Sequence, residues 1–222
     1  MKFTFPVKEP YQITQYFGEN PQDYLPRYQG HPGIDIIAPY GTLIYPPCES
    51  IVVEAREEPI NGLIVRLLSE EKFGAFHYEF DFGHCSKLLV KKGQYMNTFV
   101  PIAEMGNTGE VRAGGRLVTD SERNIPPYPG THAHFGWIKR IEASSGWELT
   151  DWGLGLPTSA IYNFDNGYQG RENPMPLFAD IIAYSWKAQL IFAVLSAYLA
   201  VLGKPALTEE IKRKINDALS AK

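Results

Sequence analysis

Three of the chain's five histidines stand with a carboxylate in two short stretches whose spacing suits a metal ion. In Gly30-His31-Pro32-Gly33-Ile34-Asp35 an imidazole and a carboxylate lie four residues apart across a Pro-Gly pair, free to converge on one ion. In His132-Ala133-His134 two imidazoles lie two apart, and on a β-strand that spacing turns both to the same face. Zinc in catalytic sites takes three protein ligands and leaves a fourth position for water. His31, Asp35 and His134 would fill such a site with one Zn2+ per chain, leaving His132 as a base beside the water. Either stretch alone is a weak signal; the two together predict metal-assisted hydrolysis.

The elements that must position these residues read as short strands separated by glycine turns. Gln12 to Phe17 ends at Gly18, Ile34 to Ala38 ends at Pro39, and the runs Ser50 to Arg56 and Leu63 to Leu68 flank the hairpin signal Asn61-Gly62. Phe76, Tyr78, Phe80 and Phe82 then alternate with His77, Glu79 and Asp81, which predicts a strand with one aromatic and one polar face. If that strand stays regular past Gly83, His84 shares the aromatic parity and looks into the fold, whereas His77 looks out. His84 is therefore a site candidate and His77 a surface residue. Val90 to Thr108 continues in short strands, and Gly109 to Gly130 is a polar loop without apolar period, long enough to be functional, that leads into His132. Strands so spaced, without intervening helices, predict a mainly β fold built on an antiparallel sheet core.

Residues 142–176 read as an irregular covering segment packed through Trp147, Trp152, Tyr162 and Phe164. From Leu177 the period turns helical: Trp186, Leu190, Val194, Leu195, Tyr198 and Leu202 precede a Gly203-Lys204-Pro205 stop, and a second helix follows Thr208. Two domains are expected, 1–176 and a C-terminal α-helical hairpin over 177–222. The run Ala188 to Leu202 falls short of the roughly 20 apolar residues of a membrane span, so a homodimer contact or a membrane-surface role fits the hairpin better.

A net charge of −4, with the basic excess confined to the last 42 residues, argues against nucleic acid as a partner. Cys48 and Cys85 permit one bridge or two free thiols. The first ten residues lack the apolar run of a signal peptide, so synthesis in the cytoplasm and release by another route are expected.

The motifs also resemble those of the lysostaphin/LytM-type zinc metallopeptidases. Gly30 to Thr42 is similar to that family's His-x-Gly-x-Asp followed by Ala-x-x-Gly-Thr; Gly83-His84-Cys85-Ser86 resembles its Gly-His-Leu-Ser, and Thr131 to Phe135 its closing His-x-His-Phe. Gly106-Asn107-Thr108-Gly109 falls between them in family order, and the likeness covers about residues 10–140. The resemblance implies that His31, Asp35 and His134 hold zinc, that His84 and His132 are catalytic, one taking the water's proton and the other holding the oxyanion, and that Tyr24 or Tyr28 assists the oxyanion. It implies peptidoglycan peptides as substrate and a phage-type lysin released by a holin or carried in a virion. A non-catalytic relative that binds peptidoglycan or regulates another hydrolase is the alternative, and a zinc enzyme acting on another peptide the third reading. The loop from Glu110 to Pro129 is longer than the family's turn, and the C-terminal helices have no counterpart in its motifs.

Overall fold

Alternation along the strands gives each of them two faces, and the pairing register decides which residues share one. The computed structural model describes residues 3–8, 10–141 and 160–178, and the chain divides into two units, Met1–Pro174 and Met175–Lys222.

In the first unit the strands are β1 (Gln12–Gln15), β2 (Ile34–Ile37), β3 (Leu43–Ile44), β4 (Ser50–Glu58), β5 (Gly62–Ser69), β6 (His77–Leu88), β7 (Tyr95–Met96) and β8 (Ala103–Met105), then β9 (Arg112–Ala113), β10 (Arg116–Leu117) and β11 (Ala133–Arg140). Nine of them form one sheet in the order β1-β2-β11-β6-β5-β4-β7, with β8 pairing both β3 and β6, and every pairing in it is antiparallel. The mainly β, antiparallel expectation holds, and the Asn61-Gly62 signal does close a hairpin between β4 and β5.

Register sorts the two faces. Ile34 lies opposite Phe135, Phe135 opposite Phe82, Phe82 opposite Val65, Trp137 opposite Phe80 and Phe80 opposite Leu67, and all of these side chains are buried. Phe135 stands 5.0 Å from Phe82 and 6.1 Å from Phe80, ring centre to ring centre. This aromatic face is the hydrophobic core. On the other face Asp35 lies opposite His134, His134 opposite Gly83, Gly136 opposite Asp81 and Asp81 opposite Arg66. The chemistry therefore sits on the polar face of β6, the reverse of what strand parity predicts.

His84 reaches that face because β6 does not stay regular. Leu63 pairs with Cys85 while Val65 pairs with Phe82, so one extra residue of β6 bulges out, and His84 occupies it with φ of 61°. A non-glycine side chain in this region is uncommon and, where the surroundings hold it, marks a functional position.

The stretch from Glu110 to Pro129 is more ordered than its composition predicts. β9 and β10 form a small hairpin around Gly114-Gly115, and a helical turn, α1 (Asp120–Arg123), starts at a capping box in which Thr119 and Glu122 exchange hydrogen bonds. Beyond β11, Arg171 and Ile161 form bridges with Ile138 and Arg140, so this part of the covering segment extends the edge of β11. Tyr162 packs on Phe76 at 4.7 Å, and Trp147 and Trp152 lie outside the described residues. Cys48 and Cys85 are buried free thiols.

In the second unit the described residues form one 3-10 turn, Met175–Phe178. The helical hairpin expected over 177–222 falls, from residue 179 onward, outside the described residues. Among the described residues no helix is long and apolar enough to cross a membrane.

Candidate metal centre and active site

β2 and β11 pair directly, and their register sets Asp35 against His134, so a carboxylate and an imidazole are brought side by side by backbone hydrogen bonds alone. His31 joins them from the turn before β2, where its N–H donates to Glu19 O at 2.8 Å and its carbonyl accepts from Gly18 N–H at 2.9 Å. Gly33 allows the approach: a Cβ there would lie 2.8 Å from Cε1 and 2.9 Å from Nε2 of His134. That is the physical need for glycine between the histidine and the aspartate.

Three donor atoms meet as a result. His31 Nε2 lies 3.0 Å from His134 Nδ1 and 3.2 Å from Asp35 Oδ1, and His134 Nδ1 lies 3.2 Å from Asp35 Oδ1. Ligands bonded about 2.0–2.1 Å from one tetrahedral zinc lie roughly 3.3 Å apart, so the triangle has the edge of a zinc site. Two imidazole nitrogens and one carboxylate oxygen are also the donor types zinc takes. Burial acts most strongly on Asp35 and would raise its pKa, but hydrogen bonds from His134 and His31 and the nearby imidazoles outweigh it and hold the carboxyl well below the usual range. Burial pushes His134 down, toward the neutral form a metal requires.

His84 and His132 flank this triangle, with ring centres 4.5 Å apart. Each is aimed by a backbone carbonyl: His84 Nδ1 lies 2.8 Å from Thr108 O, and His132 Nδ1 lies 2.8 Å from Gly130 O. A carbonyl only accepts, so both Nδ1 atoms carry the hydrogen, and a neutral ring keeps its lone pair on Nε2. His132 Nε2 lies 3.8 Å from Asp35 Oδ2. Burial, then the neighbouring His132, pushes His84 down to about 3.

The structure separates the two tyrosines. Tyr24 packs against His31 at 5.4 Å between ring centres and donates to Gln15 Oε1 at 3.2 Å; burial, then the Asp35 charge, pushes its hydroxyl up to about 12, so it stays a donor. Tyr28 turns away, donating to Gln169 Oε1 at 3.4 Å, with Arg27 and Arg171 over its ring. His77 is also away from the site, its Nδ1 2.9 Å from Ser69 O.

Several residues around the site have a role that the sequence did not assign to them. Thr108 accepts from Leu63 N–H at 2.9 Å, donates to Cys85 O at 2.7 Å and offers its own carbonyl to His84. Asp81 and Arg171 stand behind His134, on the face the alternation assigned to solvent. The signal for Asp81 was the pair of glycines, Gly83 and Gly136, that clear space beside an acid on a strand otherwise rich in aromatics. For Arg171 the sequence holds no signal.

Comparison with known proteins bears on this geometry. Residues 29–142, just over half of the chain, match Peptidase family M23. The chain is 31% identical over 134 residues to the peptidoglycan DD-endopeptidase ShyA of Vibrio cholerae, a stretch covering 55% of this chain and 30% of that protein. Among solved structures it is similar to a zinc-containing peptidase from Vibrio cholerae (28% identity, 63% of this chain and 37% of that one, TM-score 0.46). It is also similar to the catalytic domain of lysostaphin from Staphylococcus simulans (20% identity, 76% and 92%, TM-score 0.47). The match over residues 29–142 identifies the chain as a member of Peptidase family M23, the LytM/lysostaphin-type peptidases.

Proposed function

We propose that this chain is a zinc-dependent endopeptidase that hydrolyses peptide bonds of bacterial peptidoglycan, in the stem peptide or cross-bridge. The observation that carries the reading is the near-equilateral triangle of His31, Asp35 and His134 with the lone-pair nitrogens of His84 and His132 beside it. The substrate class draws on the relation to ShyA, a peptidoglycan DD-endopeptidase. His31, Asp35 and His134 would hold the ion, which when bound supplies Lewis acidity toward the scissile carbonyl and makes water acidic near neutral pH.

The chain's own groups do the rest. His132 Nε2, which keeps its lone pair because Nδ1–H is held by Gly130 O, takes the proton of the attacking water and then returns it to the leaving amine. His84, kept neutral, accepts a hydrogen bond at Nε2 and orients the water. The Tyr24 hydroxyl, protonated at working pH, would turn its one O–H from Gln15 Oε1 to the developing oxyanion. The reading extends to a phage-type lysin that reaches the wall by holin-type release or as part of a virion.

Metal content measured beside turbidity loss of purified walls, with and without chelator, tests the proposal. One zinc per chain, chelator-sensitive lysis and new peptide ends by mass spectrometry are expected. His132→Ala should lower turnover by roughly 10² to 10⁴ while zinc stays bound. Expressed inside a cell, the chain should lyse it only with a co-expressed holin. Zinc without cleavage of any wall would point instead to a peptidoglycan-binding module or to another peptide substrate.

A further inference from the structure

We propose that Asp81, anchored by Arg171, is a positioning residue whose carboxylate faces Nε2 of His134, favours the proton on that nitrogen and so leaves Nδ1 as the nitrogen presented to the metal. The inference rests on the zinc-site reading above. His134 Nδ1 lies 3.2 Å from Asp35 Oδ1 and 3.0 Å from His31 Nε2, so it is the nitrogen that faces the ion. A metal ligand must offer a lone pair there, so a neutral His134 has to carry its proton on Nε2 instead. The carboxylate facing Nε2 is Asp81, with Oδ2 4.0 Å away.

The surroundings are built for this role. Asp81 lies opposite Gly136 on one neighbouring strand and Arg66 on the other, and a Cβ at Gly136 would stand 2.8 Å from Asp81 Oδ1. The carboxylate is mostly buried, with 14% of the side chain exposed, and Arg171 Nη2 donates to its Oδ2 at 3.3 Å. Arg171 on one side and Arg66, opposite it on β5, set positive charge beside this carboxylate. Gly33 approaches the same ring, where a Cβ would stand 2.8 Å from Cε1 and 2.9 Å from Nε2. His31 shows the contrast: its second nitrogen, Nδ1, is buried with no hydrogen-bond partner among the described residues. Arg171 lies beyond residues 29–142, so this support reaches the site from outside the stretch that matches the family.

A plain structural ion pair would keep the fold but leave the metal unaffected. Zinc affinity, read by competition with a chromophoric chelator on the full chain, separates the two. Asp81→Asn should bind zinc about 10- to 100-fold more weakly, and Arg171→Lys, which keeps the charge, should fall between it and the unsubstituted chain. Long-range proton–nitrogen NMR of the unsubstituted, zinc-loaded chain should place the His134 proton on Nε2, and this measurement decides alone if Asp81→Asn does not fold. Unchanged affinity in a folded Asp81→Asn, or a His134 proton on Nδ1, would overturn the inference while leaving the zinc site standing. An unsubstituted chain that binds no zinc would bring down the functional reading and this one with it.

Discussion

His84 shows how a single side chain ties the site to the stability of the fold. Its Nδ1–H is held by Thr108 O and its ring is buried, so in the metal-free protein it stays uncharged down to about pH 3, whereas in the unfolded chain it takes up a proton near its ordinary value of 6.5. Between these values the unfolded state binds the extra proton. Stability is therefore fully present above pH 6.5 and is lost as the pH falls toward 3, by up to about 1.4 kcal/mol per pH unit from this residue. Chelator-treated protein should melt at progressively lower temperature from pH 6.5 to 4.5. His84→Gln, whose amide can still donate to the Thr108 carbonyl, should flatten that decline. An equally steep fall in the variant would remove His84 as its source. The same residue shows the limit of reading the chain alone: parity ranked His84 above His77 on a premise the fold does not use, since the aromatic face is the core and the His84–His132 pair lies opposite.

At the scale of the element, the deciding feature is the bulge of β6. Asn61 O accepts the His84 N–H at 2.7 Å, and Thr108 closes the gap by accepting from Leu63 N–H and donating to Cys85 O. Thr108→Val keeps the shape but leaves the Leu63 N–H without its acceptor, which should cost about 1–3 kcal/mol in denaturant unfolding. Thr108→Ser should recover most of it; a Val variant as stable as the unsubstituted chain would show that the stitch is dispensable. The strand positions, the β4–β5 hairpin and the stretches that carry Asp35 and His134 were legible because alternation and turn residues are local signals. The bulge was not, since a β-bulge interrupts period two without a residue type that marks it. Two local signals between Glu110 and Pro129 were present but passed over: Gly114-Gly115 as a hairpin turn and Thr119 with Glu122 as a capping box. Arg123, which this turn positions, donates to the carbonyls of Asn107 and Val118, and Asn107 Nδ2 donates back to Pro129 O at 2.9 Å. The insertion is thus fastened to the strand turn beside Thr108. There Asp120 and Arg123 line a pocket with Glu57, Glu58 and Glu110.

For the whole molecule, the boundary of the family match and the boundary of the working site do not coincide. The match ends at residue 142, yet Arg171 pairs with Asp81 and bridges to Ile138, and Glu172 accepts from Lys139 Nζ at 2.9 Å. Those contacts belong to Met1–Pro174, so residues 160–174 of the covering segment pack with the strands that carry the candidate site. Two truncations separate the consequences. A chain ending at residue 178 retains Arg171 and should keep zinc affinity and cleavage of a soluble wall peptide. A chain ending at residue 142 loses the anchor of Asp81 and the bridges on the β11 edge, and should bind zinc at least about tenfold more weakly. Equal zinc affinity in the two would show that the covering segment does not support the metal centre. The shorter cut also tests the remaining residues: if 1–178 lyses intact walls as fast as the full chain and has the same mass per particle relative to its length, then residues 179–222 contribute neither wall or membrane targeting nor a dimer contact. Slower lysis of walls with unchanged cleavage of the soluble peptide would place their role in delivery, because chemistry at His132 and Asp35 is common to both substrates and only access to the wall differs.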